Sequence, residues 1–496
     1  MAKESGNVQD KINQEVYMGV VPSFKQDRIY NATDITLTAA GFGVASWCYT
    51  QGAWIASEIP FPLSIFVTFV PLLFFGLIFM YMSTISTRNG IDHWIYQRAV
   101  FGYKFCSIIC IISILTNWGW YAINCNVFSN SVMCLFSLGG IELSSSLAPW
   151  LGSLCAIIGF LIALKGPYAV KLSTYIMVPC LLAVGILIVI KVLTTFSISD
   201  LAAMEPMGGS YGSTKMGYLV MIEGMFAFLF SWYPVIGTPS RLCKSERSSY
   251  WGQTAGYMIA LGVFVGIGIL TATIMGSKGI YSTDPTDYLM TLDNKIWSVL
   301  SIVAIAIANI TTEVLGCYCL SMATKVFKPD LSYKKVCLGY TAFVILLLFW
   351  HGVLDYYSVF LAVTSIVAAP SVMIVLIDYF VLRKERFSFK AIYKRENTHV
   401  YNYTGGFNMI AVIAFVCGVI AYLVTYDPIN CLIRNKFLMH LTPTGVTCIV
   451  TAVVYLGLSK IPACKKYLLK DAELEECKAM VKYSDDSDYE AEKDII

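Results

Sequence analysis

Residues 41–54 read GFGVASWCYTQGAW. They sit inside an apolar run at about residues 34–57, long enough to cross a bilayer as a helix rising ~1.5 Å per residue. Yet Gly41, Gly43 and Gly52 crowd around polar and aromatic side chains, and glycine permits dihedrals that other residues avoid. A second stretch, FAFLFSWYPVIGTPSR at residues 226–241, carries Pro234, Gly237 and Pro239. Proline removes a backbone donor and disrupts a helix. Irregular backbone at bilayer depth survives only where it lines a cavity or is buried in protein. Two interrupted spans, far apart in the chain, are therefore expected to meet at a functional site, and the plainer alternative is a pair of ordinary kinked helices.

The composition supports a membrane reading. Of 496 residues, 57% are hydrophobic and 14% charged, where a soluble domain carries roughly a quarter charged. The apolar residues come in long runs, as in α-helical membrane proteins, and not in the short alternating segments of a β-barrel. Twelve spans are predicted, at about 34–57, 61–86, 103–130, 148–164, 166–194, 216–238, 251–276, 295–324, 334–352, 356–382, 406–425 and 442–460. The interruptions fall in spans 1 and 6. If residues 34–194 and 216–382 form two inverted five-helix repeats, they occupy equivalent places, the sequence signature of a transporter's midplane site. Residues 406–460 are then two accessory helices. Residues 1–33 form a polar N-terminal segment and 461–496 an acidic, solvated tail. No cleavable signal peptide is expected, because the first 30 residues hold no apolar core.

Lys and Arg set the orientation. All but six of the 35 (Lys191, Lys215, Lys278, Lys295, Arg434, Lys436) fall in the termini or the loops after even-numbered spans. Both termini are thus expected in the cytoplasm, in a protein of the cell membrane. The glycosylation-like Asn31-Ala-Thr33 and Asn402-Tyr-Thr404 fall on that cytoplasmic side. The 16 cysteines are scattered and read as small apolar fillers, so no metal site is expected.

Two more stretches carry chemistry. In TNWGWYAIN (116–124), Trp120 and Asn124 are four apart and share a helix face. An aromatic face beside an amide suits a flat heterocycle that stacks and pairs along its edge. In ANITTEVLGCYC (308–319), Glu313 lies mid-span with Asn309 one turn before it. A charged side chain there costs roughly 2.5–3.5 kcal/mol by insertion scales, so it marks a functional position or a neutral Glu bonded to a neighbouring helix. Glu223 is a second intramembrane carboxylate, read more readily as structural.

Several stretches together resemble the nucleobase–cation symporter family, the cytosine and purine permeases and the hydantoin transporter. They are GIDHWIYQRAVFG (90–102), WGWYAIN (118–124), GTPSRLCKSE (237–246), AAPSVMIVLIDYFVLRKERF (368–387) and YNYTGGFNMIAVIAFVCGV (401–419). The resemblance implies an all-α fold of two inverted five-helix repeats with broken helices 1 and 6, plus two extra helices. It implies a nucleobase-like substrate held between spans 1, 3, 6 and 8 and taken up with Na⁺ or H⁺. By position, Trp120 falls on the family's stacking Trp, Asn124 on a substrate-binding Gln, Trp232 near a second stacking Trp, and Gln51 on a polar span-1 position. One register of span 8 puts Glu313 on a substrate-binding Asn and leaves no hydroxyls for sodium. A shifted register offers Thr311 and Thr312. The first register favours proton coupling, with Glu313 as substrate ligand, proton carrier or both. Thr238 departs from the family's usual Asp.

The sequence thus reads as a symporter importing a purine or pyrimidine base, or a related heterocycle such as cytosine, with H⁺ preferred over Na⁺. No cofactor beyond the co-transported ion, no nucleic acid and no protein partner is implied, only the substrate and the bilayer. An amino-acid or polyamine transporter of the same fold is the alternative. A membrane-embedded enzyme or a channel is the alternative of another class, and no hydrolase or nucleotide-binding motif supports it.

Overall fold

The computed structural model describes residues 14–208, 211–350, 356–393, 400–434 and 441–469. Each of the twelve predicted spans coincides with helix. Eight helices among the described residues are long and apolar enough to cross a membrane. The longest are span 3, Tyr103–Leu138, and span 8, Lys295–Phe327. Spans 9 and 11 are 17-residue helices, Tyr333–Phe349 and Met409–Thr425. The apparent exceptions, spans 1 and 6, are the broken ones. Span 1 divides into Ala32–Gly43 and Trp47–Glu58, and span 6 into Thr214–Phe230 and a short turn, Gly237–Ser240.

Helix contacts repeat with a period of five spans. Span 1 packs on span 7, and span 6 on span 2; span 1 touches span 5, and span 6 touches span 10. Span 3 packs on spans 4 and 10, and span 8 on spans 9 and 5. Exchanging each span for the one five further on maps these pairs onto each other. Because five is odd, the second repeat enters from the opposite face, which makes the symmetry inverted. Spans 11 and 12 pack together against span 10. Between them lies a small antiparallel strand pair, Tyr426–Asp427 with Leu432–Ile433, which the all-α expectation did not include.

The glycines of span 1 serve a different purpose from the one expected. None of Gly41, Gly43 and Gly52 has a positive φ. They let helices touch. Gly43 lies against the backbone of Gly256, in a π-helical turn of span 7, Ala255–Ala260. At Gly52 a methyl group would lie 2.7 Å from the Ile269 nitrogen. Gly41 meets Leu315 and Thr174, where spans 1, 8 and 5 converge.

At both ends the described residues continue past the spans as ordered chain. The N-terminal chain folds under the bundle, where the Ser23 hydroxyl donates to the Arg241 carbonyl at 2.5 Å. The acidic tail from residue 470 onward lies outside the described residues; the stretch before it, Pro462–Leu468, is helical. Arg383 donates to the Leu468 carbonyl at 3.1 Å, giving that helix end the partner it lacks in isolation. Lys436, named above for the orientation, also lies outside the described residues.

Candidate functional site

A helix that stops inside a membrane leaves its last four carbonyls without partners. At the break in span 1 each one is taken. The Ala40 carbonyl accepts from Val44 N at 2.8 Å, and Gly41 from the Thr312 hydroxyl at 3.4 Å. Phe42 accepts from the Trp47 indole at 2.9 Å, and Gly43 from the Cys48 thiol at 3.1 Å. The break in span 6 is satisfied likewise. Asn117 of span 3 donates to the Ser231 carbonyl at 3.1 Å, and the Trp94 indole to Pro234 at 3.1 Å.

These breaks place rings side by side. Trp47, just past the first break, lies 5.2 Å from Trp232 in the second and 6.0 Å from Trp120 of span 3. Trp120 and Trp232 are stacked at 6.5 Å with 25° between their planes. Phe228 closes one side, 5.3 Å from Trp120, and Tyr257 lies 5.5 Å from Trp232. Tyr357 and Phe360 of span 10 lie 5.6 and 5.1 Å from Trp120. All three tryptophans are wholly buried.

Polar groups gather beside the rings. The Ser46 hydroxyl, in the span-1 break, donates to Asn309 Oδ1 at 3.0 Å and reaches Asn124 Oδ1 at 3.4 Å. Asn124 Nδ2 donates to the Asn309 carbonyl at 2.7 Å, tying span 3 to span 8. Gln51 stands one turn beyond Trp47, and its Oε1 accepts from the Tyr357 hydroxyl at 2.7 Å. The buried donors here without a partner among the described residues include Trp120 Nε1, Trp232 Nε1, Asn309 Nδ2, Gln51 Nε2 and the Tyr257 hydroxyl. An unpaired buried donor costs roughly 1–3 kcal/mol, a cost that an acceptor placed between them would relieve.

Of the sequence-predicted residues, Trp120, Asn124, Trp232 and Gln51 therefore lie in or at the rim of one cluster. Glu313 lies apart from it. The carboxyl packs among spans 3, 4 and 9: Cys125 Sγ donates to Oε2 at 3.6 Å, Tyr340 lies beside it, and a methyl group at Gly159 would be 2.6 Å from Cγ. It makes no hydrogen bond to Ser46, Asn124 or Asn309 among the described residues. The residue one turn earlier, Asn309, takes the place expected of it. A helical repeat of 3.6 rotates a residue four positions on by about 40°, which is enough to turn it onto another neighbour. Thr312 bonds the Gly41 carbonyl and the Ala308 carbonyl, at 3.4 and 3.2 Å, with Thr311 buried beside it. Glu223 is remote. Its carboxylate accepts from the Thr444 amide and hydroxyl, at 3.0 and 2.6 Å, at the start of span 12.

Sequence reasoning missed Trp47 and Ser46. Both sit in the quoted stretch, where the Ser-Trp pair after the glycines was the available signal. Phe228, Tyr357 and Phe360 are ordinary apolar positions of spans 6 and 10, and nothing local distinguishes them.

Residues 21–463 match the profile of a family described as permeases for cytosine/purines, uracil, thiamine and allantoin. A purine-uracil permease of Arabidopsis thaliana is 23% identical over 367 residues, covering 68% of this chain; the chain spans 58% of that relative's length. Mhp1, solved as a nucleobase-cation-symport-1 family transporter in a closed conformation with bromovinylhydantoin bound, matches with a TM-score of 0.71 at 15% identity, over 91% of this chain and 98% of Mhp1. Its inward-facing conformation matches with a TM-score of 0.71 at 15% identity, over 92% and 96%. A Na⁺-coupled sialic acid symporter matches at 0.60 and 14% identity, over 89% and 92%. At these identities the structural likenesses speak to the fold.

Proposed function

The chain belongs to the permease family for cytosine/purines, uracil, thiamine and allantoin, the nucleobase–cation symporters, and we propose that it is a secondary active transporter that imports a purine or pyrimidine base, or a related flat heterocycle, by alternating access. The observation that carries this reading is the Trp120–Trp232 pair. Carbon atoms pack best at about 3.5–4.0 Å, so a planar ring between two others needs about 7 Å. The two indoles already stand nearly parallel at 6.5 Å, and a small outward shift admits a base. The unpaired donors at Asn309, Gln51 and the indoles favour a ring that carries carbonyl oxygens. An aliphatic amino acid or a polyamine would leave the stacked faces unused.

For coupling, the geometry favours Na⁺ over the proton route expected from the sequence. That expectation rested on Glu313 facing the substrate, and its carboxyl instead packs among Cys125, Gly159 and Tyr340. The Thr312 hydroxyl and the Gly41 and Ala308 carbonyls bring three oxygens from two helices together at the span-1 break. Oxygen donors are what a hard cation takes. A second reading keeps Glu313 as proton carrier, on the ground that its Oε1 has no partner among the described residues.

The test is tracer uptake into proteoliposomes under imposed gradients, challenged with cytosine, adenine, guanine, hypoxanthine, uracil, allantoin and hydantoins. An inward Na⁺ gradient should drive accumulation of at least one of them. Accumulation driven by a proton gradient without Na⁺ selects the Glu313 reading. No uptake of any base, with uptake of an amino acid or polyamine instead, overturns the substrate assignment.

A further inference from the structure

A groove of about 460 Å³ opens between the starts of spans 1 and 7, lined by Ala32, Thr36, Arg247, Ser248, Trp251 and Gly252. It lies at the end of the bundle that carries the basic loops. Its floor is a close helix contact, where a methyl group at Gly252 would lie 2.6 Å from Ile35 Cγ2. Arg247 is exposed, and no hydrogen bond or ion pair engages it among the described residues.

The carboxylates nearby in sequence are already taken. Both Glu246 oxygens accept from Arg88, at 2.8 and 2.7 Å. Asp34 is held by Lys171 at 2.9 Å and by the Tyr175 hydroxyl at 2.8 Å. Ala32 begins a twelve-residue helix whose first turn is already capped by Asn31 and Asp34, so the charge of the groove comes from Arg247. The groove therefore keeps an uncompensated cation beside the Ser248 hydroxyl, which accepts from Ser245 at 2.8 Å, and the Thr36 hydroxyl, which donates to the Ala32 carbonyl at 2.7 Å.

What lies next to the groove indicates the kind of anion. Trp251 is 57% exposed, and tryptophan concentrates at the membrane–water boundary. Further along span 7, at steps of about one or two turns, Ile259 and Val263 are 59% and 45% exposed. A cation and hydroxyls, then an amphipathic ring, then an apolar strip match the order of polarity of a phospholipid from headgroup to acyl chain. A free inorganic anion would use only the first of these.

We propose that this groove binds an anionic phospholipid, its phosphate on Arg247 and an acyl chain along Ile259 and Val263. Arg pairs with phosphate through charge-assisted hydrogen bonds, and its planar fork suits that geometry better than an ammonium does. The test uses the purified full chain. Lipid retained from mixed phosphatidylcholine–phosphatidylglycerol micelles is counted by native mass spectrometry, and thermal unfolding is monitored in parallel. Phosphatidylglycerol should be retained preferentially and should raise the unfolding temperature. Arg247→Gln should cut its retention at least tenfold while unfolding as the wild type does in phosphatidylcholine alone. Lys328→Gln, an exposed cation in another loop at the same end, should retain it normally. Trp251→Ala should weaken phosphatidylglycerol retention without changing the response to inorganic phosphate. Equal retention by wild type and Arg247→Gln would overturn the proposal. Stabilisation by inorganic phosphate alone, matching that of the lipid, would overturn it in favour of a free-anion site.

Discussion

At the scale of single residues, function turns on which way a few side chains point. Trp120 touches Trp47, Trp232, Phe228, Tyr357 and Phe360, so it contributes both packing and a stacking face. Base–aromatic stacking is worth roughly 1–3 kcal/mol. Trp120→Ala should therefore weaken substrate binding by about one to two orders of magnitude, and Trp120→Phe by less, in a competition assay on the solubilised protein. Equal affinity in all three would place the ring outside the site. Thr312 and Glu313 give an opposed pair. Thr312→Val keeps the shape and removes one oxygen from the span-1 break, so half-maximal Na⁺ should rise at least tenfold. Glu313→Gln should leave the Na⁺ dependence intact; loss of accumulation with exchange preserved would instead make Glu313 the proton carrier. Trp120 and Asn124 could be paired from the sequence because they stand four apart on one helix face, whereas Gln51 came only from the family resemblance. Ser46 was not legible, because a serine in a membrane helix is commonplace until a break puts it opposite two amides.

At the scale of elements, the broken helices persist because packing replaces what the break removes. The four carbonyls at the end of Ala32–Gly43 are served by four different groups, from spans 1 and 8. The π-turn at Ala255–Ala260 falls where span 7 passes that break, and Gly43 and Gly256 meet backbone to backbone. Gly43→Ala should accordingly lower stability by about 1–3 kcal/mol, the usual cost of overpacking, seen as a fall in the unfolding temperature. Gly457→Ala makes the contrast. It lies in the helix Pro443–Lys460 with open space around it, so alanine should be neutral or stabilise by up to about 1 kcal/mol. If the two substitutions behaved alike, the glycines of span 1 would not be there for close approach. The glycines were legible as special; their purpose was not, since composition alone does not separate a permissive dihedral from a near neighbour.

At the scale of the whole molecule, both ends of the central site are shut. On the basic-loop side, the Tyr233 hydroxyl donates to Gln97 at 2.5 Å, the Thr238 hydroxyl to Asp92 at 2.6 Å, and Arg241 reaches the Val21 and Tyr17 carbonyls at 3.4 and 3.5 Å. On the other side, Asn130 donates to Asp284 at 2.8 Å and Thr50 to the Thr283 carbonyl at 3.2 Å. Alternating access requires these closures to open one at a time. Asp92, in the loop between spans 2 and 3, is a joint of the first. Burial acts to raise its carboxyl, but the nearby His93 ring, the Thr238 hydroxyl and the Trp94 amide outweigh it and hold it below the ordinary carboxylate value. A depressed acid contributes stability that is complete above its unfolded value, near 3.8, and is lost as pH falls through the lower folded one. The wild-type closure should thus be insensitive to pH between about 5 and 8 as far as Asp92 is concerned. Asp92→Asn should loosen it at neutral pH, with faster hydrogen exchange over residues 231–241 and unchanged exchange around Asp284. Unchanged exchange at both ends would remove Asp92 from the closure.

The order of residues along the chain is enough to reveal whatever is local. Twelve apolar tracts, the interruptions at 41–54 and 226–241, the side that bears the basic loops, and the pairing of an indole with an amide at 120 and 124 are all of that kind, and helical period and hydropathy suffice to read them. Packing between distant helices was needed to say which neighbour covers each face. It set Asn309 rather than Glu313 beside Ser46 and Asn124, brought the Thr312 hydroxyl to the Gly41 carbonyl, and gave Thr238 an acidic partner from another loop. The physical reason is that a helix repeats every 3.6 residues, so a sequence orders its faces relative to one another, while the absolute rotation is set by the packing of helices distant in the chain.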